Sequence, residues 1–239
     1  SWMSVTETRI NLFDLDEVRL REFFVSIGEK PFRAEQILKW IYHQGVTDFD
    51  QMTNLSKELR QRLGGVAVVQ PPRVLNEQVS LDGTTKWLIG FGGGNAVETV
   101  FIPEANRGTL CISSQVGCAL NCTFCATGAQ GFNRNLSTGE IIGQVWLAIK
   151  SYDAFQSGKG RVVTNVVMMG MGEPLLNFDN VVASMDLMME DLAYMIAKAR
   201  ITLSTSGIAP ALRRLREVSD VSLAVSLHAP DNALRDQLV

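Results

Sequence analysis

The chain has 239 residues, of which 46% are hydrophobic and 20% charged, with a formal net charge of −3 and a pI near 5.5. This length allows one large domain with attachments or two smaller ones, and the composition is typical of a globular protein with a real core. The slight acidity argues against a protein that coats nucleic acid non-specifically, although a local basic surface could still hold one. No apolar run is long enough to span a bilayer and no signal-peptide pattern is present, so we expect a cytoplasmic protein without membrane contact.

The first third of the chain is predicted to form short helices. Asp14 and Glu17 have the spacing of a capping box, and Gly28 can end the helix that follows them. Two further helices follow, and the run Gln70–Arg73 then contains two prolines, which enforce extended backbone and mark a boundary. These patterns predict a helical domain over residues 4–72.

After this boundary the sequence pattern changes to that of strands. Val74–Ser80 and Thr84–Phe91 flank a hairpin turn, and Ala96–Ile102 is predicted as a third strand. The glycine triplet at residues 92–94 is predicted to be a plain turn rather than a phosphate-binding loop, because neither a GK[ST] motif nor a helix start follows. Residues 73–105 are therefore predicted as a short antiparallel β extension.

From residue 106 to residue 239, strands and helices alternate, which predicts an α/β fold with a parallel sheet buried between helices. Four strands are fewer than a closed barrel needs, a number that is compatible with a partial TIM-like (β/α) barrel. One helix begins after Leu136, where Ser137 and Glu140 have capping-box spacing, and another is predicted from about Phe178 to Ala197. The predicted strands are Thr109–Ser114, Val162–Met169, Arg200–Ser204 and Val221–Ser226.

All four cysteines lie between Cys111 and Cys125, and three of them form the pattern Cys118-x3-Cys122-x2-Cys125. Such clustering in a cytosolic protein indicates metal binding or thiol chemistry rather than a disulfide framework. Three thiolates can hold a four-iron cluster from a single loop and leave one iron open for a substrate. The alternatives are a zinc site that uses Cys111 as the fourth ligand, and a chance grouping.

The cysteine spacing is similar to that of the radical S-adenosylmethionine superfamily. The surrounding stretch SSQVGCALNCTFCATGAQGFNRNLSTGEIIGQV resembles the adenine-C2 RNA methyltransferases of that superfamily, as do VETVFIP, MGMGEPLLN, ITLSTSG and AVSLHAP. This resemblance covers the catalytic region almost continuously, and the helical N-terminal part is compatible with it. It implies a partial barrel of the radical SAM type, a [4Fe-4S] cluster and S-adenosyl-L-methionine as cofactors.

The resemblance assigns the cluster ligands to Cys118, Cys122 and Cys125. The residues assigned to the S-adenosylmethionine pocket all follow or end predicted strands, where ligands bind in parallel barrels. Each also has a structural explanation, since glycines make tight turns, short polar residues often end strands and a lone histidine is more often structural. The pocket residues are Gly172, Glu173, Ser204, Ser226, Leu227 and His228.

The resemblance also implies catalytic roles for Glu98 and Cys111. Glu98 corresponds to the proposed proton acceptor, although a glutamate in an alternating strand faces solvent by default. Cys111, by default a buried strand residue, would resolve a covalent enzyme–RNA intermediate by forming a disulfide with a methyl-carrying cysteine near the C-terminus. No cysteine follows Cys125, so we expect this chain alone to bind cluster and cofactor without methylating RNA.

The implied reaction methylates C2 of an adenosine in 23S rRNA, in the peptidyl-transferase region, and in tRNA. One S-adenosylmethionine methylates the C-terminal cysteine, and a second yields a radical after electron transfer from a donor such as flavodoxin or ferredoxin. The target base has to be splayed out of its stack. The alternatives are a sister methyltransferase acting on adenine C8 and a non-catalytic zinc- or cluster-binding RNA adaptor.

Basic residues of the N-terminal helices are a candidate RNA-docking surface, although acidic residues are interleaved with them and a solvated surface explains them equally well. Reversing Arg33 and Lys39 to glutamate tests the hypothesis, which fails if RNA affinity and its salt dependence stay unchanged.

Overall fold

The computed structural model describes residues 9–116, 134–155, 161–168, 174–205 and 222–225. The N-terminal part is a compact set of helices closed by a pair of short parallel strands. Its helices are α1 (Glu17–Ser26), α2 (Arg33–Leu38) and α3 (Lys57–Val66), with a π-helical turn at Lys39–His43, and its strands are β1 (Ile10–Asn11) and β2 (Ala67–Val68).

The first helix starts at a different cap from the one predicted. Asp16 rather than Asp14 is the N-cap of α1, and its Oδ1 accepts a hydrogen bond from the Arg19 amide at 3.0 Å. Asp14 instead accepts a hydrogen bond from the Gly139 amide at 2.8 Å, 125 residues away along the chain. Gly28 follows the helix with φ 81°, as its predicted role in ending α1 requires.

Within the described ranges, seven strands form one continuous sheet, and two more form a separate antiparallel pair. In chain order the strands are β3 (Arg73–Val79), β4 (Thr85–Gly90), β5 (Ala96–Glu104), β6 (Arg107–Ile112), β7 (Gln115–Val116), β8 (Arg134–Asn135), β9 (Asn165–Met168), β10 (Ile201–Thr205) and β11 (Ser222–Val225). The large sheet has the order β11-β10-β9-β6-β5-β4-β3, and β7 pairs with β8.

The pairing directions change at β6, in the middle of the sheet. Strands β6, β9, β10 and β11 are parallel, whereas β3, β4, β5 and β6 are antiparallel to their neighbours. Hydrogen bonds between β5 and β6 therefore join the predicted β extension and the predicted barrel in one sheet. The α/β class is confirmed, while the described strands form an open sheet and barrel closure stays a prediction.

In the part of the chain that the structure describes after the cysteine region, the longer helices are α4 (Thr138–Ser151) and α5 (Phe178–Met189). The predicted capping box of α4 is confirmed, because Ser137 Oγ accepts from the Glu140 amide at 3.1 Å and Glu140 Oε1 accepts from the Ser137 amide at 2.9 Å. The predicted end of α5 at Ala197 is wrong. The chain leaves the helix at Glu190 and folds back, so that the Ile196 amide bonds to the Met188 carbonyl at 2.8 Å.

Alternate residues of the central strands lie on two faces of the sheet. The face that carries Thr99 and Ile112 is buried beneath α4, and α5 packs against α4. Among the described residues, no helix covers the opposite face, whereas the apolar strands had suggested helices on both. We call this opposite side the open face; its central residues, half-buried or exposed, are Glu98, Val100, Thr109, Cys111, Asn165, Val167, Thr202 and Ser204.

Within the described parts of the chain, every helix is too short or too polar to cross a lipid bilayer.

Five carboxylates face one another where the start of α1 meets the end of α5, around a cleft of about 370 Å³; they are Asp16, Glu17, Asp186, Glu190 and Asp191. Burial and a hydrogen bond shared with Glu17 raise the pKa of Glu190 to about 7. Burial and the neighbouring charge of Asp16 raise the pKa of Asp186 to about 6. The same contact with Glu190, together with Arg21, lowers the pKa of Glu17.

We expect the free energy of unfolding to fall as the pH rises from about 4.5 to about 7. Between these limits the folded chain keeps protons on Glu190 and Asp186 that the unfolded chain has released. The free energy of unfolding that these protons contribute at low pH is therefore lost as the pH rises to the folded pKa values. Glu190→Gln should reduce this fall by about 1 kcal/mol in urea unfolding curves recorded across the pH range. Glu58→Gln, on the exposed surface of α3, is the control, and equal pH dependence in both variants would contradict the expectation.

Candidate functional site

The structure brings three of the predicted site residues onto the open face. Glu98 lies on β5, Cys111 on β6 and Ser204 on β10. Cys111 pairs with Val100, so Glu98 occupies the diagonal position across the β5–β6 pair, a separation of roughly 7–8 Å in antiparallel sheets. Ser204 lies two strands away from Cys111, one residue before the end of β10.

The Glu98 side chain is 54% exposed and faces the solvent side of the sheet, as its place in an alternating strand predicts. Its carboxylate lies 4.0 Å from Lys86 Nζ on β4, a contact too long and too exposed to hold it in one orientation. The backbone beside it is better fixed, since the Glu98 carbonyl accepts a hydrogen bond from Ser113 Oγ at 3.4 Å. Glu98 is therefore free to turn toward a bound molecule.

Cys111 is half-buried within β6, where it pairs with Val100 on one side and Val167 on the other. Burial raises the pKa of its thiol above the ordinary value, so the thiol is protonated at neutral pH. A protonated thiol is a weak nucleophile and a poor metal ligand. Its chemistry consequently requires removal of the proton when a partner arrives.

The other predicted site residues are Cys118, Cys122, Cys125, Gly172, Glu173, Ser226, Leu227 and His228, and they lie outside the described residues. Their attachment points are described, however. The cysteines follow β7, Gly172 and Glu173 follow β9, and Ser226 comes directly after β11. In the sequence, the pocket residues thus follow the carboxyl ends of parallel strands, and the cysteines follow the first strand of the short β7–β8 pair. Among the described residues, no group of three histidine, cysteine or acidic side chains is arranged to hold a metal ion.

The two ends of the cysteine segment, residues 117–133, are held together by the β7–β8 pair. Gln115 pairs with Asn135 and Val116 with Arg134, and the Leu136 amide donates to the Ser114 carbonyl at 3.0 Å. Arg134 also makes a two-bond ion pair with Glu140 on α4, at 2.6 and 2.7 Å. The base from which the segment departs is thus a fixed antiparallel pair.

Two buried amides support that base, and neither was among the predicted site residues. Gln144 accepts from Thr99 Oγ1 at 2.8 Å and from the Ser113 amide at 3.0 Å, and it donates to the Ser113 carbonyl at 2.8 Å. Asn177 donates to the Ser114 carbonyl at 2.9 Å and to the Leu136 carbonyl at 2.7 Å. For Gln144 the sequence carried a signal, because a polar residue inside the apolar run IIGQVWLAI needs buried partners.

The candidate RNA-docking arginines are largely engaged with acidic neighbours. Arg21 bonds to Glu17 and Glu35, and Glu29 lies 3.9 Å from Arg33 and 3.0 Å from Arg62. These are exposed or half-exposed pairs, which contribute little to stability. A phosphate would therefore have to compete with the acidic partners for them.

Comparison with known proteins decides the family. Residues 112–238 match the radical SAM superfamily, which is more than half of the chain, and residues 10–69 match the ribosomal RNA large subunit methyltransferase N-terminal domain. The chain belongs to the radical SAM superfamily. This confirms the family prediction that was drawn from the cysteine motif and the stretches around it.

Similar curated proteins carry the name dual-specificity RNA methyltransferase RlmN. One from Saccharophagus degradans is 63% identical over 97% of this chain, and one from Marinobacter nauticus is 58% identical over 99% of it. The radical SAM chain described here spans 58% and 64% of the lengths of these two relatives.

A solved structure supports the same family. The radical SAM methyltransferase from Sphaerobacter thermophilus is 41% identical to this chain and superimposes with a TM-score of 0.79. The match covers 96% of this chain and 67% of the other.

Proposed function

We propose that this chain carries the cluster- and S-adenosylmethionine-binding part of an RNA methyltransferase that acts on C2 of adenosine in 23S rRNA and in tRNA. The observation that carries the proposal is the three-cysteine segment, attached by a rigid base beside a sheet whose open face holds Glu98, Cys111 and Ser204. The kinship with proteins named dual-specificity RNA methyltransferase supports it.

Cys118, Cys122 and Cys125 are the proposed ligands of a [4Fe-4S] cluster. Three soft thiolate donors close together in the sequence fit such a cluster, and Cys111 lies within β6, where it pairs with Val100 and Val167. When bound and reduced, the cluster supplies the electron that cleaves S-adenosylmethionine. The proposed donor of that electron is a flavodoxin or a ferredoxin.

The proposed S-adenosylmethionine pocket collects residues from the carboxyl ends of successive parallel strands. Gly172 lets backbone carbonyls approach the amine of the cofactor, and Glu173 offsets the charge of that amine. Ser204 lies at the end of β10 on the open face, where its hydroxyl can bond to a ribose or carboxylate oxygen. The remaining pocket residues are Ser226, Leu227 and His228.

Glu98 and Cys111 are the proposed catalytic residues. Exposure and a loose contact with Lys86 leave the Glu98 carboxylate available to accept the C2 proton of an adenine lying on the open face. Cys111 is proposed to release the product by attacking the sulfur of a methyl-carrying cysteine. The disulfide then forms as the bond from that sulfur to the adenine-bound carbon breaks, and that carbon takes the electron pair and a proton to become the methyl group. This sequence has no candidate for the methyl-carrying cysteine after Cys125. Because the thiol is held protonated by burial, this step has to wait for a base.

The N-terminal helical domain, residues 4–72, is the proposed RNA-docking domain, followed by the β extension over 73–105 and the radical SAM region over 106–239. A cytoplasmic location is proposed from the RNA substrates. The charge reversal of Arg33 and Lys39 described above tests RNA docking, since each lost phosphate contact lowers the salt dependence by about one ion.

Anaerobic reconstitution with iron and sulfide, followed by addition of dithionite and S-adenosylmethionine, tests the proposal. We expect iron and sulfide in equal amounts, about four of each per chain, and release of methionine and 5′-deoxyadenosine. Zinc without iron and sulfide would instead support a zinc-binding RNA adaptor. Mass mapping of the methylated RNA base distinguishes C2 from C8, and a methyl group on C8 would overturn the proposed substrate atom.

A further inference from the structure

Asn177 occupies an unusual position between two parts of the proposed site. It is the N-cap residue of α5 and lies four residues after Glu173, in the stretch that follows β9. Asparagine at an N-cap normally accepts a hydrogen bond from the first turn of its own helix, but the Asn177 side chain makes no such bond. Its amide is directed to another part of the chain.

That other part is the base of the cysteine segment. A single buried Nδ2 donates to the carbonyls of Ser114 and Leu136, which lie on the two sides of residues 117–133. Asn180 supports this arrangement, because its own Nδ2 donates to Asn177 Oδ1 at 3.0 Å and to the Leu136 carbonyl at 3.2 Å. The amide orientation of Asn177 is thereby fixed, with its donors toward the cysteine segment.

We infer that Asn177 is a positioning residue that fixes the base of the cysteine segment, at Ser114 and Leu136, relative to the chain that leads from Gly172 and Glu173 into α5. The inference rests on the proposed function, since it assigns cluster ligands to the first segment and the cofactor amine to the second. Asn177 is covalently attached to one and hydrogen-bonded to both ends of the other. Its role is to hold the base of the cysteine segment against the start of α5, while the groups that would bind cluster and cofactor come from other residues.

Two substitutions separate this role from helix capping. Asn177→Asp and Asn177→Ser both install residues that cap helices as well as asparagine does, so α5 keeps its start. Neither can donate to both carbonyls at once: an ionised aspartate has no donor, and the serine hydroxyl has one. Asn11→Asp is the matched control, because Asn11 also donates an amide hydrogen to a backbone carbonyl, that of Gln70 at 2.9 Å, in the N-terminal part of the chain.

The first measurement is hydrogen exchange on the cluster-free chain. We expect amides of β7, β8 and Leu136 to exchange about tenfold faster or more in both Asn177 variants, with those of α5 little changed. Asn11→Asp should leave exchange at β7 and β8 as in the unmodified chain. Unchanged exchange at β7 and β8 in both Asn177 variants would overturn the inference, whether or not the chain binds a cluster.

The second measurement is the electron paramagnetic resonance spectrum of the reduced, reconstituted chain during titration with S-adenosylmethionine. We expect one of two results for the Asn177 variants. Either they keep their iron and need about tenfold more S-adenosylmethionine for the half-maximal spectral change, or they lose iron while Asn11→Asp keeps it. Iron content and titration midpoints equal to those of the unmodified chain would overturn the inference. Absence of any spectral response in the unmodified chain would count against the proposed function. The hydrogen-exchange data would still decide whether Asn177 holds the base of the cysteine segment in place.

Discussion

Replacing Cys122 by serine should lower the iron bound after anaerobic reconstitution from about four atoms per chain to less than about one. Cys122 is the central member of the Cys118-x3-Cys122-x2-Cys125 pattern, and a cluster held by only three thiolates cannot lose one of them without losing its attachment. Iron and sulfide analysis, together with the broad visible absorption of the cluster, measures the effect.

Cys111→Ser is the matched control for this substitution. Cys111 is held by strand pairing to Val100 and Val167 on the open face, and burial keeps its thiol protonated, so its loss should leave iron content near that of the unmodified chain. A site of four cysteine ligands predicts a different result, in which both variants lose the metal to the same extent. Equal loss in Cys111→Ser and Cys122→Ser would therefore reject the three-thiolate cluster.

Local rules predicted those parts of the fold that depend on neighbouring residues. The hairpin of β3 and β4 follows from two alternating stretches around a turn, and the capping box of α4 follows from Ser137 and Glu140 three residues apart. The placement of Glu98 on an exposed strand face follows from strand alternation in the same way. Each of these features is decided within a few residues of sequence.

Features that depend on long-range contacts were not predictable in this way. Asp14 resembles a helix cap, but it accepts a bond from the amide of Gly139. Residues after Met189 have helix-forming side chains, yet the chain folds back there because Tyr194 and Ile196 become buried. The support of the cysteine segment by Asn177 depends on two carbonyls that are 41 and 63 residues away, and no spacing within the sequence indicates such a contact.

Replacing Trp146 by alanine should reduce the free energy of unfolding by about 3–5 kcal/mol. Trp146 lies on α4 and is 4% exposed, and its ring contacts Phe13 and Phe155 with centroids 5.7 and 5.4 Å apart. Its indole nitrogen donates to the Ile41 carbonyl at 2.9 Å, so one side chain joins the N-terminal helices to the helix that supports the open sheet. Alanine removes the ring contacts, leaves a cavity and removes the hydrogen bond.

Urea unfolding of two further variants separates the contribution of the indole hydrogen bond from that of ring packing. Trp146→Phe keeps an aromatic ring and removes the N–H donor, so it should cost about 1–2 kcal/mol, the typical loss for a buried hydrogen bond. Trp40→Ala removes a half-buried tryptophan whose nitrogen bonds to Asn54 at an exposed position, and it should cost clearly less than Trp146→Ala. If Trp146→Ala were no more destabilising than Trp40→Ala, the N-terminal helices would not depend on the Trp146 side chain for their packing against α4. The docking of Asp14 on the Gly139 amide would then be the contact that holds them in place.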